Sequence, residues 1–124
     1  MYELKVELDF AAAHRLENYE GKCERLHGHN WIVEAIVRGT ELNETGIVID
    51  FKIIKAELKK VLDEFNHRYL NELEIFANQN PSAENIAREI FERLAVSEIF
   101  SGTAKLYAVS VYETRGSCAT YYPD

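Results

Sequence analysis

The first ten residues constrain this chain more than any other stretch. Tyr2, Leu4, Val6, Leu8 and Phe10 alternate with Glu3, Lys5, Glu7 and Asp9. Successive side chains of a strand point to opposite faces, so the segment predicts a strand with one apolar and one charged face. Such strands belong to antiparallel sheets that are wetted on one side. The interspersed charges also make the segment unlike the apolar stretch of a secretion signal.

The rest of the chain fits around that sheet. Residues 16–26 break the alternation and read as a loop. A second strand is expected at about 28–39, with Trp31, Val33, Ala35 and Val37 on one face. Asn43-Glu44-Thr45-Gly46 carries turn residues. Asp50 stands as an N-cap before a helix expected over Phe51 to Phe65, where Ile54, Leu58, Val61, Leu62 and Phe65 recur at helical spacing. A second helix is expected from Asn80-Pro81-Ser82 to about Val96, with Ile86, Ile90, Phe91 and Leu94 as its buried stripe. Ser101-Gly102 breaks the chain, and a last strand should run from Lys105 to Thr114, with room for an extra strand pair near the end. The order β-β-α-α-β predicts one α+β domain over residues 1–124. So small a sheet has open edges, which proteins usually cover or pair. Together with 7 Tyr and 6 Phe in 124 residues, this predicts self-association.

The formal net charge of −7 argues against a nucleic-acid surface, which needs a basic stripe. No apolar run reaches the length of a membrane span, so neither nucleic acid nor membrane is an expected partner. Two cysteines, Cys23 and Cys118, cannot build a disulfide framework; at least one thiol is left free, Cys118 reads as structural, and a cytoplasmic location is expected.

Three of the four histidines form a pattern: His14 at the end of the first strand, then His27-Gly28-His29 entering the second. Residues two apart in a strand point the same way, and an antiparallel neighbour can bring His14 beside the other two. Three neutral imidazoles with an open fourth position describe a catalytic zinc site; surface or hydrogen-bonded core histidines fit the same spacing. Cys23 lies four residues before His27. Lys22, Arg25 or a metal ion would lower its thiol pKa, and an idle loop cysteine is the other reading. His67 follows the first helix, where it would serve as a C-terminal cation, and Glu113 could be a solvent-facing carboxylate.

Taken together, these residues form a longer pattern. The series Phe10-Ala11-Ala12-Ala13-His14, Cys23-x3-His27-Gly28-His29-Asn30, Asp50-Phe51, His67-Arg68-x-Leu70-Asn71, Asn80-Pro81-Ser82-Ala83-Glu84-Asn85 and Val111-Tyr112-Glu113-Thr114 resembles the 6-pyruvoyl-tetrahydropterin synthase / 6-carboxy-tetrahydropterin synthase family, in order and over nearly the whole chain. The resemblance implies a tunnelling fold (T-fold), an antiparallel sheet with two helices on one face, assembled as trimers whose sheets close into a barrel and which stack as a hexamer. It implies Zn2+ held by His14, His27 and His29, Cys23 as general base, His67 as proton relay, Glu113 gripping the pterin, and Ser82 as a further pterin contact. The implied substrate is 7,8-dihydroneopterin triphosphate.

The compact length resembles the branch that makes 6-carboxy-5,6,7,8-tetrahydropterin, acetaldehyde and triphosphate for queuosine biosynthesis. A pyruvoyl-forming enzyme is the alternative. A branch forming 6-hydroxymethyl-dihydropterin, which uses Glu in place of the cysteine, is disfavoured by Cys23 but kept open by Glu24. A non-catalytic zinc- or pterin-binding oligomer is the reading from another class. One residue departs from the pattern. Relatives carry Asp before the relay histidine, where this chain has Asn66. A contact with His67 is expected, through the amide oxygen or through the NH2 with the other tautomer, in a relay built differently or weaker.

Overall fold

The structure, a computed structural model, describes residues 1–21 and 24–124. Five strands and two helices follow in the order β1 (Tyr2–His14), β2 (His27–Gly39), α1 (Phe51–Leu62), β3 (Arg68–Tyr69), α2 (Ala83–Ala95), β4 (Lys105–Thr114) and β5 (Ser117–Tyr121). They form one sheet in the order β3-β1-β2-β4-β5. Every pairing is antiparallel except the two-residue contact of β3 with β1.

The alternation at the N-terminus does what its chemistry requires. Val6, Phe10 and Ala12 are buried, while Glu3, Lys5, Glu7 and Asp9 are exposed. It continues four residues past Phe10, so β1 ends at His14. Trp31, Val33, Ala35 and Val37 of β2 meet this face in register, with Phe10 opposite Trp31 and Val6 opposite Ala35. The buried stripes of both helices, Ile54, Leu58, Val61 and Leu62 on α1 and Ile86, Ile90, Phe91 and Leu94 on α2, join the same core. Each such side chain contributes roughly 1.5–3 kcal/mol on burial. Both helices therefore lie on one face of the sheet.

Two helix boundaries differ from expectation, and two short strands join the sheet. α1 ends at Leu62, not Phe65, because the chain tightens: Phe65 N–H donates to the Leu62 carbonyl and His67 takes a left-handed φ of 60°. That turn lays Arg68 and Tyr69 beside Ala12 and Ala13, a pairing too short to announce itself in sequence. α2 starts at Ala83 because the Ser82 hydroxyl accepts the Asn85 N–H at 3.1 Å as its N-cap, which leaves Pro81 outside the helix. β5 is the extra strand near the C-terminus; its pairing with β4 slips between Tyr112 and Thr114. Among the described residues, no helix is long and apolar enough to cross a membrane.

Candidate metal centre

Register decides the site. His14 and His27 are direct partners across β1 and β2, and His29 lies opposite Ala12, the next helix-facing position of β1. The three imidazoles thus crowd one end of the helix-covered face. Trp31 is their floor. It is fully buried, stands edge-on to His14 at 4.8 Å and to His29 at 5.1 Å, and stacks on Phe10, so it separates the histidines from the apolar core. On β4, Val109, Val111 and Glu113 share the core-facing parity, which brings the Glu113 carboxylate to 3.3 Å from His29 Nε2 and 3.9 Å from His14 Nε2.

Backbone carbonyls set the tautomers. His14 Nδ1 lies 2.8 Å from the Pro81 carbonyl and His27 Nδ1 lies 2.8 Å from the Arg25 carbonyl. A carbonyl only accepts, so both Nδ1 atoms carry their protons and a neutral ring keeps its lone pair on Nε2. The two Nε2 atoms face each other at 3.0 Å, an arrangement that a shared proton or a cation must satisfy. His29 Nε2 is buried without a hydrogen-bond partner. Burial first, then the neighbouring His27 and, for His14, His29 lower the pKa of both rings, against the Pro81 carbonyl bond at His14 and the pull of Glu113 on both. Lowering favours the neutral imidazole, the form that ligates metal. His14, His27, His29 and Glu113 place one donor atom each within 4.8 Å of one another. Chemically the donor set fits a zinc-like cation: three imidazoles, two of which have their far N–H groups held by carbonyls.

The other predicted residues fall at graded distances. His67 is exposed and shares with His29 a groove of about 530 Å³ running over Ala11–Ala13 and Arg68. The Ser82 hydroxyl caps α2, next to the carbonyl that holds His14. Cys23 lies outside the described residues. Cys118 is exposed opposite Tyr112, on the face away from the histidines; there Glu34 pushes the Tyr112 phenol up to about 12. The expected Asn66–His67 contact is replaced by another. Asn66 Oδ1 accepts the Ala11 N–H at 3.0 Å, and the His67 N–H donates to the Ala11 carbonyl, so Asn66 fastens this turn to the edge of β1. Glu24 is likewise occupied, its carboxylate accepting the Leu16 N–H at 3.1 Å.

Sequence reasoning missed that Glu113 stands beside the three histidines. Its parity with Val109 and Val111 was visible, but the adjacency of β4 to β2 was not. It also missed the Pro81 and Arg25 carbonyls, for which no side-chain pattern exists.

This fold and this donor group define a small α+β protein with a potential metal centre at one end of its sheet. The family profile described as 6-pyruvoyl tetrahydropterin synthase matches residues 3–124, and the chain belongs to that family. Among curated relatives it is 37% identical to the 6-carboxy-5,6,7,8-tetrahydropterin synthase of Synechocystis sp., covering 98% of this chain and 94% of that protein. It is 33% identical to the protein of the same name from Rickettsia typhi, covering 87% and 91%. Its fold matches the structure of Caenorhabditis elegans 6-pyruvoyl tetrahydropterin synthase with a TM-score of 0.84 at 29% identity, over 99% of this chain and 96% of that one. The architecture is the T-fold.

Proposed function

We propose that this chain, as a single domain over residues 1–124, is a cytoplasmic zinc-dependent carbon–carbon lyase. With one water consumed, it converts 7,8-dihydroneopterin triphosphate to 6-carboxy-5,6,7,8-tetrahydropterin, acetaldehyde and triphosphate in queuosine biosynthesis. The observation that carries this reading is the convergence of three carbonyl-oriented or orphaned imidazole nitrogens beside Glu113, in a chain whose relatives include several named 6-carboxy-5,6,7,8-tetrahydropterin synthase.

His14, His27 and His29 hold the zinc, which when bound supplies a Lewis acid for substrate oxygens. Glu113 is the pterin's anchor: a carboxylate accepts two parallel N–H bonds from the amino-pyrimidine edge. Its side chain is 37% exposed, against 1% for His14, so a ligand arriving from solvent reaches Glu113 first. Cys23, as thiolate, takes a proton from the substrate side chain, and His67, exposed along the groove that it shares with His29, relays it. Ser82 uses its oxygen as an acceptor to cap α2, which leaves its O–H free to donate to the pterin. Trimers stacking as a hexamer fit the open edges. Beyond the β3 contact at Ala12 and Ala13, the outer edge of β1 has no strand partner among the described residues.

Mass spectrometry of the product from 7,8-dihydroneopterin triphosphate tests the reading. The carboxylated pterin with acetaldehyde supports it. The pyruvoyl pterin, with triphosphate released and no acetaldehyde, moves the chain to the branch of its C. elegans structural neighbour. No turnover at all leaves a non-catalytic binding protein.

A further inference from the structure

β1 ends at His14, yet the chain does not become irregular there. The Arg15 N–H donates to Asn71 Oδ1 at 2.9 Å and the Arg15 carbonyl accepts from Asn71 Nδ2 at 2.8 Å. The Leu16 N–H donates to Glu24 Oε1 at 3.1 Å, and the Leu16 carbonyl accepts the Glu24 N–H at 2.9 Å. The Glu17 N–H donates to Asn80 Oδ1 at 2.8 Å and the Glu17 carbonyl accepts from Asn80 Nδ2 at 2.9 Å. A carboxamide offers the same acceptor–donor pair as a peptide group. Two asparagines and one glutamate therefore replace the neighbouring strand that β1 lacks at this point, and every backbone polar group of Arg15–Glu17 is satisfied.

These three residues also flank the atoms that orient the histidines. Asn80 precedes Pro81, whose carbonyl holds His14 Nδ1, and the Asn80 carbonyl is tied to α2 through Asn85 Nδ2 at 2.8 Å. Glu24 precedes Arg25, whose carbonyl holds His27 Nδ1. Asn71 grips the residue next to His14. We infer that Asn71, Asn80 and Glu24 are positioning residues. They form a bracket that fixes the stem of the loop between the two strands and, through Pro81 and Arg25, the ring orientation of His14 and His27. The link to metal rests on the zinc reading above; the fixing of the loop stem does not.

Two measurements are made on Asn80→Ala and Asn71→Ala: amide hydrogen exchange over residues 15–26, and zinc affinity by competition with a chromophoric chelator. Ile54→Ala, a truncation in the core beneath α1, controls for general loosening. The bracket predicts faster exchange confined to 15–26 and a zinc Kd raised by about 10–100-fold, the usual cost of losing an outer-shell partner, with Ile54→Ala leaving the Kd unchanged. Asn80→Asp, which keeps the acceptor but loses the donor, should fall between wild type and Asn80→Ala. Unaltered exchange overturns the inference. So does faster exchange with wild-type zinc affinity, or an equal loss of affinity in Ile54→Ala. If the wild-type protein binds no zinc, the metal reading fails, and exchange alone decides whether the bracket exists.

Discussion

Along the β1–β2 pair, two halves of one sheet face are built from opposite materials, and the polar half is sheltered at His14 but partly open at His27 and His29. At one half Val6 meets Ala35 and Phe10 meets Trp31; two and four residues further on, Ala12 meets His29 and His14 meets His27. Phe10 and His14 are both almost fully buried. The first gains transfer free energy and close packing. The second is a polar ring in a dry place, tolerated because its Nδ1 has a carbonyl and useful because its Nε2 is left facing other donors. Same-face burial thus says nothing of role until the hydrogen bonds of each ring are traced. Trp31 marks the border, touching Phe10 on one side and His14 and His29 on the other.

The largest expected effect falls on the polar half. His27→Ala or His29→Ala should abolish turnover while leaving the metal-free protein folded, because neither ring contributes to the apolar core; a variant with wild-type turnover would erase the distinction between the halves. Next, Cys23→Ala should retain zinc and lose about two to four orders of magnitude in turnover, the scale of a positioned general base. Cys118→Ala, on the opposite face, should be silent in the same assay. The apolar half answers in a different measurement. Ile54→Ala should cost about 2–5 kcal/mol in denaturant unfolding and leave the zinc count alone. A loss of zinc there would show that the two halves are coupled.

The smallest effect is a pH dependence confined to the metal-free protein. The folded pKa of His14 and His29 lies below the unfolded value of 6.5, chiefly through burial. The unfolded chain therefore takes up these protons first. Their contribution to stability is whole above pH 6.5 and is lost as pH falls through the folded values. Urea unfolding at decreasing pH should show this loss, and it should shrink in His29→Ala.

How much of this was legible in the residues depends on the range of the interaction. The β1 alternation, the Asp50 cap and the helical stripes are local. They stand where the pattern put them except for Phe65, which is buried just beyond the end of α1. His14, His27 and His29 could be grouped because their spacing and a single hairpin-like pairing suffice. Glu113 beside His29 required knowing that β4 lies next to β2, a contact across some eighty residues that no local pattern encodes. Asn66 shows the opposite failure. Its neighbour in sequence, His67, was the natural partner, but the left-handed turn at His67 sends the amide to Ala11 instead.

The central claim is that the polar half of this face holds a zinc ion on three histidines, and metal analysis of the purified protein tests it most directly. One zinc per chain is predicted for the wild type and for Ile54→Ala, with most of it absent from His14→Ala, His27→Ala and His29→Ala. Full zinc occupancy in those three histidine variants, or a wild-type protein that takes up no zinc when it is supplied, would contradict the account.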